Sequence, residues 1–227
     1  MAMQLKEVVP FGRSLEEYRL MFNLTEADIE KSILSVADGP ASFNAEMAKI
    51  NKSVISLDPL YRFDALEIRN RFFEVVDDII DQVKQSPGDW VWNYHGSPEN
   101  LKKTRTKVLN LFQEDYQSVR RDLAYKEGAL PELNFPGKTF ELVLCSHFLF
   151  LYSKQLDHEF HLKSIKEMIR VGNEVRIFPL LSLMLEKYPH LDKLIHHLKQ
   201  KNLHVEIVKV PYELQRGGDE MLIVKRR

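Results

Sequence analysis

The order of apolar segments predicts an α/β chain whose mostly parallel sheet ends in one reversed strand. Three observations predict it. Ile33-Leu34-Ser35-Val36 and Ser53-Val54-Ile55-Ser56-Leu57 are short β-branched runs with a helical segment at 44–50 between them. Strand, turn, helix and strand within about 25 residues form a βαβ unit, which needs a parallel sheet. Phe140-Glu141-Leu142-Val143-Leu144-Cys145 is nearly all apolar, as a strand covered on both faces is. At the end, His204-Val205-Glu206-Ile207-Val208-Lys209-Val210 alternates strictly, Gln215 to Gly218 turns the chain, and 221–225 forms a last strand. These two make an antiparallel hairpin.

The helices follow from capping and periodicity. Ser14-Leu15-Glu16-Glu17 has the form of a capping box, and residues 25–28 offer a second one opening a helix to about Lys31. Between 64 and 85, Leu66, the Arg69 stem, Phe72, Val76, Ile79 and Val83 recur at helical spacing. Ser97-Pro98-Glu99 places a cap before a proline at the first helical position. Leu101, Val108, Leu111, Phe112, Tyr116, Val119 and Leu123 then give that helix an apolar face. Further helices are predicted from Ser153 or Leu156 to about Arg170 and over 190–201, with a strand at 174–178. With no internal repeat or linker, all 227 residues are read as one domain. It carries an N-terminal helical cap at about 14–31 and a helical insertion at about 86–124.

Lys and Arg number 32 against 33 Asp and Glu, a formal net charge of −1, so nothing draws the chain as a whole to nucleic acid or anionic membrane. Lys102, Lys103, Arg105 and Lys107 could form a local basic patch, but the run reads first as a solvated helix face. Cys145 is the only cysteine, which excludes an intrachain disulfide and suits a reducing cytoplasm. Residues 1–9 lack the apolar core of a secretory signal. The greasiest stretch, 175–185, is interrupted by Arg176, Pro179 and Ser182 and is too short to span a bilayer. A soluble, cytoplasmic protein is expected.

Ligands of open parallel sheets bind beyond the carboxyl ends of the strands, where strand order reverses. The turn Ala37-Asp38-Gly39-Pro40-Ala41 has small residues where a ligand would pass, and Asp58-Pro59-Leu60 follows the second strand. Asp58 stands 19 residues beyond Gly39, placed to accept hydrogen bonds from both ribose hydroxyls of an adenosine. Either half alone fits an ordinary turn or strand terminator; together they favour a nucleoside-type ligand. A dinucleotide fits less well, because Pro40 has no N–H to offer a pyrophosphate and the third glycine of the fingerprint falls on Ser42.

The succession from about Thr25 to Lys225 resembles the Rossmann-like class I S-adenosylmethionine-dependent methyltransferases, whose seven-stranded, mostly parallel sheet has a reversed last strand. Ile33-Leu34-Ser35-Val36-Ala37-Asp38-Gly39-Pro40-Ala41-Ser42-Phe43 looks like the family's glycine-rich first motif, and Asp58 matches its ribose-binding acid. The resemblance implies that Ala129 and Leu130 flank the adenine and that Cys145-Ser146-His147 faces the reactive methyl. Asp38-Gly39-Pro40-Ala41-Ser42-Phe43-Asn44-Ala45-Glu46, Ser146-His147-Phe148-Leu149-Phe150-Leu151-Tyr152 and Pro211-Tyr212-Glu213-Leu214-Gln215-Arg216-Gly217-Gly218 look like a bacterial subgroup of these proteins with no assigned substrate. Gly12-Arg13 with Glu17-Tyr18 and Met21-Phe22 belongs to that likeness, which implies that the N-terminal helix helps to close the pocket. Ser35 stands where the family has a carboxylate, and Ala37 and Ala41 replace two glycines. Asp38 is then the substitute for the missing charge near the methionine amino group.

The implied activity is methyl transfer from S-adenosylmethionine to a small-molecule acceptor. His147 is the candidate base, against a reading in which it only packs on the next helix, and Tyr152 is a candidate for orienting the acceptor. The Asn-Pro-Pro-Tyr type of motif is absent at 145–148, which argues against DNA bases and protein glutamine as acceptors. Cys145 reads as a buried strand residue. His158 and His161 have helical spacing for a metal but no third ligand, so no metal is expected. Trp90, Trp92, Tyr94 and His95 form either a lid over the acceptor or a small satellite core. Two other readings stay open: a non-catalytic S-adenosylmethionine-binding protein and a nicotinamide-dependent reductase.

Overall fold

The computed structural model describes residues 9–227; the predicted absence of a signal at 1–9 falls almost wholly outside them. Seven strands form one sheet in the order β3-β2-β1-β4-β5-β7-β6. They are β1 (Ile33–Val36), β2 (Val54–Leu57), β3 (Tyr125–Lys126), β4 (Phe140–Ser146), β5 (Gly172–Phe178), β6 (Leu203–Lys209) and β7 (Glu220–Arg226). β3, β2, β1, β4 and β5 pair in parallel, and β7 pairs antiparallel with both β5 and β6. This is the predicted Rossmann-like α/β architecture, a seven-stranded mostly parallel sheet, reversed last strand included.

Alternation along the central strands sends neighbouring residues to opposite faces. Ile33, Leu142 and Leu144 join one apolar cluster, while Leu34, Val143 and Cys145 join the other. The first cluster is covered by α1 (Leu15–Met21), α3 (Phe43–Lys49), α4 (Ala65–Gln85) and α5 (Pro98–Tyr116); the second is covered by α7 (His158–Val171) and α8 (Leu191–Gln200). Both predicted capping boxes form, at Ser14/Glu17 and Thr25/Asp28, and Asp64/Glu67 adds a third at the start of α4. The helix after Thr25, α2 (Glu26–Ile29), is shorter than predicted.

Two faces differ from the sequence reading. On α4 the buried stripe runs through Ala65, Ile68, Phe72, Val76, Ile79 and Val83, while Leu66 is 61% exposed. Ile68 keeps the i, i+4 spacing to Phe72; Leu66 lies off it. The helix begun at Pro98 stops at Tyr116, leaving Val119 at 94% and Leu123 at 72% exposure. Ser118 Oγ donates to the carbonyl of Asp115 and accepts from the amide of Arg120, so the chain turns there into the short α6 (Arg121–Ala124) and β3. Among the described residues no helix is long and apolar enough to cross a membrane.

Candidate functional site

Strand order reverses between β1 and β4, so the turns after these neighbours open onto the same place. After β1, Ala37 and Gly39 both take the left-handed conformation, each with φ 55°. At Gly39 nothing lies within 4 Å of where a Cβ would stand, so the backbone is free to take a close neighbour. Ala37 adopts this conformation against its chirality, at a cost of about 1–2 kcal/mol.

Asp38 departs from its expected part. The hydroxyls of Tyr18, Ser35 and Ser56 all donate to its carboxylate, and burial raises its pKa. A buried hydroxyl–carboxylate cluster thus ties α1, β1 and β2 together.

Asp58 faces the turn from the tip of β2. Its Oδ2 accepts from the Gly39 amide at 2.9 Å and its Oδ1 from the Leu60 amide at 2.8 Å. Burial pushes its pKa up to about 6, with the two amides pulling the other way and Asp38 adding to the rise. Each oxygen keeps accepting capacity beyond its one backbone donor. Pro59 and Leu60 begin the 3-10 turn of Pro59–Arg62.

After β4, His147 is held at φ 50° by its amide, which donates to the carbonyl of Phe178 at 2.7 Å. Its ring packs edge-on against Phe178, and its Nδ1 lies 2.9 Å from Ser146 Oγ. Burial, then Arg13 and Arg105, hold its pKa well below the usual histidine range. The imidazole is neutral at physiological pH, with Nδ1 engaged by Ser146.

His147 stands between two spaces. On one side, Ala37, Asp38, Gly39, Asp58 and Ser146 line a recess of about 380 Å³. On the other, Trp90, Leu151, Tyr152, Phe178 and Tyr212 wall an apolar cleft of about 710 Å³ including its mouth. Val9, Phe11 and Arg13 line both, so the N-terminal segment runs along their common border. Gly12 makes that path possible: a Cβ there would stand 2.1 Å from the carbonyl oxygen of Pro40. The Ser42 amide, at the start of α3, donates to the carbonyl of Arg13 at 3.0 Å.

Beneath this segment lies a charged network that the sequence reading missed. Glu17 on α1 is fully buried and pairs with both terminal nitrogens of Arg105 on α5, at 2.8 and 2.7 Å. The Tyr212 hydroxyl donates to Glu17 at 3.0 Å and lies 3.0 Å from His95 Nε2. Burial acts to raise the Glu17 pKa, but Arg105 and the hydrogen bonds from His95 and Arg105 bring it well below the usual carboxylate range. Arg105, expected on a solvated face, is therefore 1% exposed. Leu101, Arg105, Val108 and Phe112 lie at i, i+4, i+7 and i+11 and are all buried, a spacing visible in the sequence.

The remaining expected residues divide. Ser146 and Tyr152 reach the recess and the cleft respectively. Pro40 lies under Gly12. Cys145 and Leu130 point into the second core cluster, where burial raises the Cys145 pKa to about 12. Ala129 is exposed and bridges to Glu132. His158 Nδ1 lies 2.9 Å from the Tyr188 hydroxyl, while His161 stacks on the Tyr188 ring, so both are engaged by the same tyrosine. The insertion builds no separate core. Trp90 belongs to the first cluster, walls the cleft and bridges to Gln215.

No family model matches the chain. The topology is shared at low likeness by a magnesium protoporphyrin IX methyltransferase from Synechocystis, crystallised with S-adenosylmethionine. That structure is 11% identical over 87% of this chain and 70% of its own, with a TM-score of 0.43. An S-adenosylmethionine-dependent methyltransferase from Methanosarcina mazei is 12% identical over 87% and 93%, with a TM-score of 0.44. In sequence, an uncharacterized protein of Methanocaldococcus jannaschii is 35% identical over 225 residues, 99% of each chain. At that identity and coverage, this chain belongs to the same family as the archaeal protein.

Proposed function

We propose that the chain is an S-adenosylmethionine-dependent methyltransferase acting on a small molecule with a largely apolar body. The observation that carries this reading is the position of His147, which lines both the recess at the β1 turn and the apolar cleft. A cofactor seated in the first space meets an acceptor in the second at this side chain.

The residues present fit the cofactor. The open side of Gly39 accepts a close ligand, and Asp58 retains acceptors for two ribose hydroxyls. Ala37, Gly39 and Asp58 would hold its nucleoside side, with Pro59, Leu60 and Ala129 next to the base. When bound, the cofactor supplies a methyl group already activated on a sulfonium sulfur. The chain then has to align an acceptor and exclude water. The walls of Trp90, Phe178 and Tyr212 do the second. The neutral His147, its Nδ1 held by Ser146, takes the proton of an acceptor hydroxyl or ammonium at Nε2.

A dinucleotide is disfavoured by committed donors. Pro40 has no N–H, the Gly39 amide is given to Asp58 and the Ser42 amide to Arg13. S-Adenosylhomocysteine or S-adenosylmethionine at 100 times its dissociation constant adds about 2.7 kcal/mol of stability. The melting temperature should rise by roughly 5–10 °C for a domain of this size, and NAD and NADP should leave it unchanged. A response to NADP alone would replace this reading with the reductase.

A further inference from the structure

We propose that Arg13 binds a carboxylate at the border of the recess and the cleft, a site that rests on the methyltransferase reading for its two possible sources. Those are the amino-acid part of the cofactor and the acceptor itself. Among the described residues Arg13 is the only charged side chain that lines the apolar cleft, and it also lines the recess. It forms no ion pair among the described residues: one terminal nitrogen donates to the carbonyl of Phe11, and its buried Nε has no partner.

The neighbouring charges do not supply the missing anion. Glu17 is taken up by Arg105 through two contacts and by the hydroxyl of Tyr212. Asp38 is engaged by three hydroxyls, and Asp58 is turned to two backbone amides. Among the described residues Arg13 and Arg105 therefore both face Glu17 at the inner end of the site, and Arg13 has no carboxylate of its own. Burial and the nearby Arg105 lower the Arg13 pKa to about 10, as a guanidinium held without a counter-ion requires. A planar donor fork in a mostly apolar enclosure selects a carboxylate over a neutral amide or alcohol.

The test uses the full chain, its Arg13→Gln and Arg13→Lys variants, and calorimetric titration at low salt. One arm compares S-adenosylhomocysteine with 5′-methylthioadenosine, which lacks the amino-acid carboxylate. The other compares 1-naphthoate with 1-naphthamide as probes of the cleft. If the cofactor is the source, Arg13→Gln weakens S-adenosylhomocysteine by roughly ten- to hundredfold and leaves methylthioadenosine alone. If the acceptor is the source, the wild type prefers naphthoate over naphthamide by a similar factor and Arg13→Gln erases that preference. Arg13→Lys should retain part of either effect, and the melting temperature of each variant reports folding. Unchanged S-adenosylhomocysteine affinity together with no preference for naphthoate would overturn the proposal while leaving the methyltransferase reading intact. Binding of naphthoate through Arg13 without any binding of S-adenosylhomocysteine would do the reverse.

Discussion

Replacing Asp58 by Asn tests the carboxylate proposed to hold the nucleoside. The side chain keeps its shape, but Oδ1 alone can accept, so one of the two backbone amides it now serves meets an NH₂ group instead. Loss of a hydrogen bond to a charged group costs about 1.5–3 kcal/mol, so S-adenosylhomocysteine should bind roughly ten- to hundredfold more weakly. The pH dependence gives a second, independent signature. The folded pKa, about 6, lies above the unfolded value near 3.9, so the associated stability is full below the unfolded pKa and is lost as pH rises through 6. Cofactor affinity should move the opposite way, because only the ionised carboxylate accepts from both hydroxyls. It should rise about tenfold per pH unit up to about 6 and then level off. Calorimetric titration from about pH 5 to about pH 8 reads both trends, and Asp58→Asn should flatten them. An affinity that ignores pH in the wild type, or a variant that binds as tightly, would refute the assignment.

Arg105→Ala strands the buried Glu17 carboxylate, an expected loss of about 3–5 kcal/mol, or roughly 6–20 °C in melting temperature. That deficit should shrink as pH falls and the stranded carboxylate takes up a proton; a deficit independent of pH would show that packing, not charge, holds the network. His147→Ala should slow methyl transfer by roughly 10²–10⁴-fold with S-adenosylhomocysteine affinity unchanged. Because the folded pKa is depressed, wild-type turnover should be flat across the ordinary histidine range and fall only at lower pH. A variant with normal turnover and a lower melting temperature would leave His147 as a packing residue only.

The parts of the fold legible in the sequence are those written locally. Strands β1, β2 and β4 show as short apolar runs, the terminal hairpin as strict alternation about a glycine turn, and the helix starts as capping boxes. That the Gly39 turn and Asp58 lie together is legible because turn and acid close the two strands of one βαβ unit; the hydrogen bond between them is not. Strand β3, only two residues long, leaves no pattern to read. The role of Asp38 depends on hydroxyls from α1 and β2, and that of Arg105 on a partner 88 residues away, neither of which a window of sequence displays. Arg13 was noticed only by likeness, since its meaning lies in the carboxylate it lacks.

The bond between Tyr212 and Glu17 joins residues 195 positions apart. Synthesis proceeds from the N-terminus at roughly 5–20 residues per second, so Glu17 leaves the ribosome roughly 10–40 s before Tyr212 has been made. For the later part of that interval Arg105 is already available to pair with Glu17, and only the Tyr212 hydroxyl is still missing. The recess is lined by residues up to Phe148, whereas the cleft also takes walls from Tyr212 to Gly218, so the cleft is completed only when translation is nearly finished. A chain cut before the last hairpin would keep the residues of the recess and lack one wall of the cleft.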